Sequence, residues 1–128
     1  MVIVLLQASQ ADDALRDYTT LSTLLADAGN TEADFTNYAR KAITDTDGLS
    51  IAIDNVANSV SPDLTDQTWT AAGGAANNSL TKLLFCYDAD TTGGTDADLV
   101  PVYAYDFVAT TNGEDLEARP NASGLSTQ

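Results

Sequence analysis

The chain has 128 residues, enough for one domain that buries about two-thirds of its unfolded surface. It carries 19 acidic residues against 5 basic ones and no histidine, for a net charge of −14, and 44% of its residues are hydrophobic. That balance excludes a wholly disordered chain and argues against direct binding to nucleic acid phosphates or to anionic membranes.

The acidity is nearly all aspartate, since Glu32, Glu114 and Glu117 are the only glutamates. Two readings of the charge stay open. One is a solvated surface that keeps the protein soluble. The other is adaptation to high salt, where the Debye length shrinks to about 3 Å at 1 M and self-repulsion is screened. A high-GC genome would also favour Asp, Ala, Thr and Gly over Lys.

Residues 2–6, Val-Ile-Val-Leu-Leu, form an apolar, β-branched run that predicts a strand buried on both faces and central or clamped in its sheet. Five apolar residues without a preceding positive charge are too few for a leader, and no membrane span is expected. Next, Ser9 and Asp12 have the form of a helix start. Leu15, Tyr18, Leu21, Leu24, Leu25 and Ala28 then recur at helical spacing up to Gly29. The spacing predicts one amphipathic helix of about 12–16 residues. Thr31 could cap one further turn over 30–34.

From 36 to 44 the pattern alternates, with Tyr38, Arg40 and Ala42 on one face. Arg40 and Lys41 are the only adjacent basic pair, serving either internal charge balance or contact with an acidic neighbouring chain. A half-buried strand over 49–53 follows, with a turn at Asp54 and Asn55, and Pro62 marks an edge or an interruption. A short strand over 66–70 carries Trp69 as a core anchor.

The run 80–111 is the stretch around which the chain is organised. Two aromatic-rich segments flank a loop of Asp, Thr and Gly, which predicts a long hairpin. Asn112-Gly113 then predicts a two-residue type I′ turn that returns a short strand, 115–118, onto 107–111. Residues 120–128 lack periodicity and are expected to be extended, giving a β-rich domain over 1–118 and a tail over 119–128. This strand order predicts a mainly β fold, a β-sandwich or jelly-roll-like sheet pair with the N-terminal helix packed outside.

Chemistry-bearing residues are few. Cys86 is the single cysteine and sits mid-strand, as an inert small hydrophobe would. The loop 88–98 begins like a calcium loop, with Asp88, Asp90, Thr92, Gly93 and Asp96 at positions 1, 3, 5, 6 and 9. Position 12, however, is Leu99, and the flanks are strands. Asp88, Asp90, Asp96 and Asp98 are therefore candidate ligands for a weakly bound calcium or other hard cation, set against a plain solvated loop. No cofactor and no enzymatic activity are expected. Tyr103, Tyr105 and Phe107 share one strand face, which suits either a core or a stacking platform for host glycans.

Arg16-Asp17-Tyr18-Thr19-Thr20-Leu21, Asn37-Tyr38-Ala39-Arg40-Lys41, Asp66-Gln67-Thr68-Trp69-Thr70-Ala71-Ala72, Cys86-Tyr87-Asp88 and Asp106-Phe107 through Asn112-Gly113 come in a telling order. Together they resemble small virion-associated proteins encoded among the structural genes of tailed viruses of high-GC hosts or their haloarchaeal relatives. The resemblance implies a particle component made in the host cytoplasm and located in the virion, with no catalytic residues. Capsid decoration is the first expectation; a minor tail or fibre-base protein is the alternative. Partners would be major capsid or tail proteins. Apart from the resemblance, residues 120–128, with Leu125 as their only sizeable apolar side chain, are expected to lie along a neighbouring copy, a trimer being expected, and Arg40 and Lys41 are further contact candidates. The chain departs from that family in its acidity, which fits a virus of salt-loving cells.

Overall fold

In the computed structural model, the described residues are 1–44, 50–54, 59–63, 65–89, 94–121 and 124–127. The fold is mainly β, with antiparallel sheets. Strand β1 (Val2–Ala8) is the centre of the main sheet, in which β2 (Thr31–Glu32) and β3 (Lys41–Ala42) pair with one edge of β1. Its other edge takes β7 (Ser79–Asp88), which in turn pairs with β8 (Leu99–Thr110). The β7–β8 pair is the long hairpin expected from 80–111.

The apolar run of β1 is buried on both faces, as its composition predicts. Ile3 and Leu5 point into one cluster with Phe35, Trp69, Leu80, Leu83, Phe107, Leu116 and Ala118. Val4 and Leu6 point into the other with Leu15, Leu21, Leu24, Leu84, Cys86 and Leu99. The first cluster is shared with a second sheet, ordered β10 (Gly124–Thr127), β9 (Leu116–Asn121), β6 (Gln67–Trp69). Trp69 anchors it as expected, buried and donating its indole N–H to the Ala39 carbonyl at 2.8 Å. A separate hairpin joins β4 (Ser50–Asp54) to β5 (Ser59–Asp63), with Pro62 opposite Ile51. Leu49 and Asn55 lie outside the described residues.

Several expectations are corrected. In place of one long helix there are two short ones, α1 (Asp12–Leu15) and α2 (Leu21–Ala26). Thr20 breaks the run: its hydroxyl accepts from the Thr23 N–H while the Thr23 hydroxyl accepts from the Thr20 N–H, a reciprocal cap that starts a new helix. Ser9 caps nothing, since the residue before α1 is Ala11 and makes no side-chain cap. The leucine stripe survives the break, because Leu15, Leu21 and Leu24 still share one cluster. Residues 31–32 form β2 rather than a helical turn.

The alternation over 36–44 does not give a strand. Asn37 has φ 69°, in the left-handed region, and only Lys41–Ala42 joins the sheet. Nor does Asn112-Gly113 close a type I′ hairpin. Only Gly113 has positive φ (96°), while the Asn112 side chain accepts from the Glu114 N–H at 3.0 Å. The chain there turns a corner between sheets: the Gly113 N–H donates to the Ala72 carbonyl, and Ala72 N–H to that of Glu114, both at 2.8 Å. Consequently β9 pairs with β6 and not with β8. The C-terminal stretch expected to be an extended tail takes strand form among the described residues. Strand β9 runs through the boundary at 118 as far as Asn121, and β10 folds back on it, with the turn-forming Asn121 and Gly124 opposite one another. No helix among the described residues is long and apolar enough to cross a membrane.

Candidate functional site

The feature that stands apart from the core is β8. It ends the strand order of the main sheet, so among the described residues its outer edge pairs with no strand. Strand β10 runs near it without joining the ladder. In an antiparallel pair, alternate residues aim their N–H and C=O groups away from the partner, and an edge strand leaves those groups free to pair.

That edge is held in place at three points. Ahead of β8, Asp96 takes an ion pair from Arg40, whose guanidinium also grips Glu32 through two bonds at 2.7 and 2.6 Å. The Asp96 carbonyl accepts from the Ser22 N–H of α2 at 2.9 Å. Midway, the buried Lys82 ammonium pairs with Asp106 on β8 and Asp12 on α1. At the far end the Thr111 N–H donates to the Asn78 carbonyl at 3.0 Å, and the Asn78 N–H to the Thr111 hydroxyl at 2.9 Å.

Asn78 in turn accepts from the Asp34 and Phe35 N–H groups at 2.8 and 3.0 Å and donates to Gln7 at 3.0 Å. A network with this many satisfied groups fixes one geometry.

The charges are tuned accordingly. Hydrogen bonding to Glu32 and then Asp96 raises the Arg40 pKa, and Arg40 in return lowers that of Asp96. Desolvation alone would depress Lys82, but its bonds to Asp106 and Asp12 outweigh that and raise it overall. Burial is also the main cause that raises Tyr38, whose hydroxyl accepts from the Leu5 N–H at 3.1 Å. Burial pushes the Cys86 thiol up to about 12, which leaves almost no thiolate at neutral pH.

Against this scaffold the surface of the hairpin is apolar. All five exposed large hydrophobic side chains among the described residues, Tyr87, Val100, Val102, Tyr103 and Val108, lie on β7 or β8. Val108 is 77% exposed and Tyr103 55%. The aromatic row of β8 grades outward, from buried Phe107 through half-buried Tyr105 to exposed Tyr103. The Tyr103 and Tyr105 rings lie 6.2 Å apart and tilted by 31°, and Phe85 meets Tyr105 edge-on at 5.8 Å. A core for all three residues is thus realised only at Phe107. On the helix side of β8 an open groove of about 250 Å³ separates it from α1 and α2, with Leu15, Leu24, Leu84, Val102 and Ala104 in its lining.

Of the four candidate metal ligands, three lie among the described residues. Asp96 is taken by Arg40, and Asp98 accepts from the Thr95 N–H and hydroxyl at 3.1 and 2.8 Å. Asp88 ends β7 opposite Leu99, and Asp90 lies outside the described residues. Among the described residues no group of three or more acidic or thiol side chains is arranged to hold a metal.

Of the contact candidates, Arg40 is engaged internally, and the Lys41 ammonium sits 5.3 Å from the Trp69 ring centroid. Leu125 lies on β10 opposite Pro120.

Sequence reasoning missed the free edge and the Lys82 triad. The available signals were a lysine inside an apolar strand and seven uncharged residues, 99–105, between Asp98 and Asp106 in an Asp-rich chain. Comparison with protein-family models, curated proteins and solved structures finds no match to this chain.

Proposed function

We propose that this chain is a non-enzymatic structural protein that works by assembly, an accessory subunit of a tailed virus particle, with capsid decoration as its position. The observation that carries the reading is the uncharged, apolar edge of β8, held by ion pairs on a strongly acidic body. A rigid scaffold that leaves its apolar side chains and strand hydrogen bonds outward is suited to docking, because little order has to be gained on binding.

The non-enzymatic part is supported by the lack of histidine and by a sole thiol that is buried and protonated. The virion part rests on the resemblance of the packing and turn residues described above. A jelly-roll-like sandwich belongs to the same proposal, supported by the core that the two sheets share. The partners in this reading are capsid or tail proteins and further copies of the chain, and a cation bound by the 88–98 loop would be weak and incidental.

Purified particles of the virus that carries this gene test the proposal by mass spectrometry. The chain's peptides are expected in intact virions, and their absence would sink the reading.

A second reading is a glycan-binding module on a host surface, favoured by the exposure of Tyr103 beside Tyr105. The apolar faces of sugar rings stack on such aromatic rings. Under that reading Tyr103→Ala abolishes adhesion of particles to cells while leaving particle composition intact; under the first it does not touch adhesion.

A further inference from the structure

We propose that Asn112-Gly113 is a gated deamidation site: the folded corner blocks ring closure between the two residues, and opening the corner releases an irreversible reaction. The site is independent of how the chain assembles.

Asn112 is the only asparagine followed by glycine in the chain. Such a pair is prone to deamidation because no Cβ on the glycine shields its amide nitrogen. That nitrogen attacks the asparagine Cγ, and the new N–C bond closes a succinimide ring. The amide proton passes to solvent, and the side-chain nitrogen takes up a proton and leaves as ammonia. Water then opens the ring at either carbonyl. The products are aspartate and isoaspartate, in which the main chain runs through the side-chain carbon.

Asn112 is exposed, so water and base reach it. The corner nevertheless withholds both reacting groups. The Gly113 N–H donates to the Ala72 carbonyl at 2.8 Å, which holds its proton in place and directs it toward residue 72. The Asn112 side chain is gripped at both ends: its oxygen accepts from the Glu114 N–H at 3.0 Å, and its Nδ2 donates to Glu114 Oε2 at 3.2 Å. Closure requires the N–H to be given up and the side chain to swing off Glu114. Neighbouring bonds resist that movement, since Ala72 N–H donates to the Glu114 carbonyl and Ala71 N–H to Asp115 Oδ1, both at 2.8 Å. The reaction therefore runs through an open corner, at a rate set by how often the corner opens.

The same contacts make the event one-way. This corner carries the chain from β8 of the main sheet into β9 of the second. Isoaspartate lengthens the main chain there and puts Gly113 and Glu114 out of step with Ala72. Aspartate keeps the length but sets a carboxylate against Glu114 where the amide had donated, and like charges so placed repel.

The test is the rate of deamidation at residue 112 in the purified full chain, read by peptide mapping. Incubation is in mildly alkaline native buffer and in concentrated urea at the same pH. We expect Asn112 to be the fastest asparagine in urea and at least about tenfold slower in native buffer. Asp115→Ala, which removes the acceptor of the Ala71 N–H, should speed the native reaction several-fold and leave the rate in urea unchanged. Melting checks that this variant folds. The deamidated chain, separated by anion exchange and refolded, should melt below unmodified chain treated in the same way.

Equal rates in native buffer and urea would overturn the proposal, and that comparison uses the unaltered chain, so it stands even where the variant fails to fold. A folded Asp115→Ala chain that deamidates no faster than its parent, or a deamidated chain that melts with the unmodified one, would overturn it as well.

Discussion

Arg40 and Lys82 each hold two carboxylates, yet their removal should have opposite consequences. Around Arg40, Glu32 is mostly shielded and Asp96 partly so, and Arg40→Met leaves the two carboxylates facing each other without their shared cation. After discounting for partial exposure, a loss of about 1–3 kcal/mol is expected at neutral pH.

Around Lys82 the carboxylates of Asp12 and Asp106 are well exposed and rehydrate at little cost, whereas the ammonium itself is buried. Lys82→Met should therefore be near neutral or stabilising.

The pH profile distinguishes the two further. Asp96 has a lowered folded-state pKa, so its contribution is present above the ordinary carboxylate value of 3.8 and lost as pH falls through the folded value. Asp27 behaves likewise, held down by the Gly29 N–H and by Tyr18. Melting temperature should fall steeply below about pH 4, and the fall should be shallower in Arg40→Met because Asp96 no longer binds its proton differently on unfolding. Identical acid limbs for the two proteins would show that Arg40 does not depress Asp96.

At the level of elements, the corner after β8 gives the sharpest contrast between sequence and structure. Asn-Gly is the strongest short hairpin signal, and a type I′ turn would require positive φ at both residues. In the structure only Gly113 has it, because the corner docks on the Ala72 backbone and the Asn112 side chain supplies the local turn bond. Gly113→Ala should accordingly cost about 1–2 kcal/mol in left-handed strain, and Asn112→Ala well under half of that. Urea midpoints measure both, and equal losses would restore the hairpin reading.

What was legible locally was what depends on burial pattern alone: β1 buried on two faces, the β7–β8 hairpin, and Trp69 as an anchor. What was not legible depends on distant partners. The helix period across Leu15 and Leu24 carries no sign that Thr20 and Thr23 cap each other. The alternation over 36–44 fails because Tyr38 turns inward to the Leu5 N–H and Glu32. Equally, the free edge of β8 is a property of strand order, which no stretch of sequence states by itself.

For the molecule as a whole, charge outweighs every other surface property. With every basic group engaged internally, the acidic excess is left to repel itself across a small body. Screening should raise the melting temperature steadily between about 0.1 and 1 M NaCl. A flat response would mean that the carboxylates are already neutralised by bound cations. Calcium that stabilises far more than sodium at equal ionic strength would make the 88–98 loop the place to look.

The same acidity explains why an apolar edge is tolerable here. Repulsion between like-charged copies opposes indiscriminate sheet-to-sheet pairing at that edge.

The most direct measurement of the central claim is the abundance of this chain in purified virions relative to the major capsid protein, by quantitative mass spectrometry. A capsid decoration protein predicts an abundance of the same order as the capsid protein. An abundance that is only a small fraction of it would move the chain to the tail or fibre base, and none at all would contradict the account.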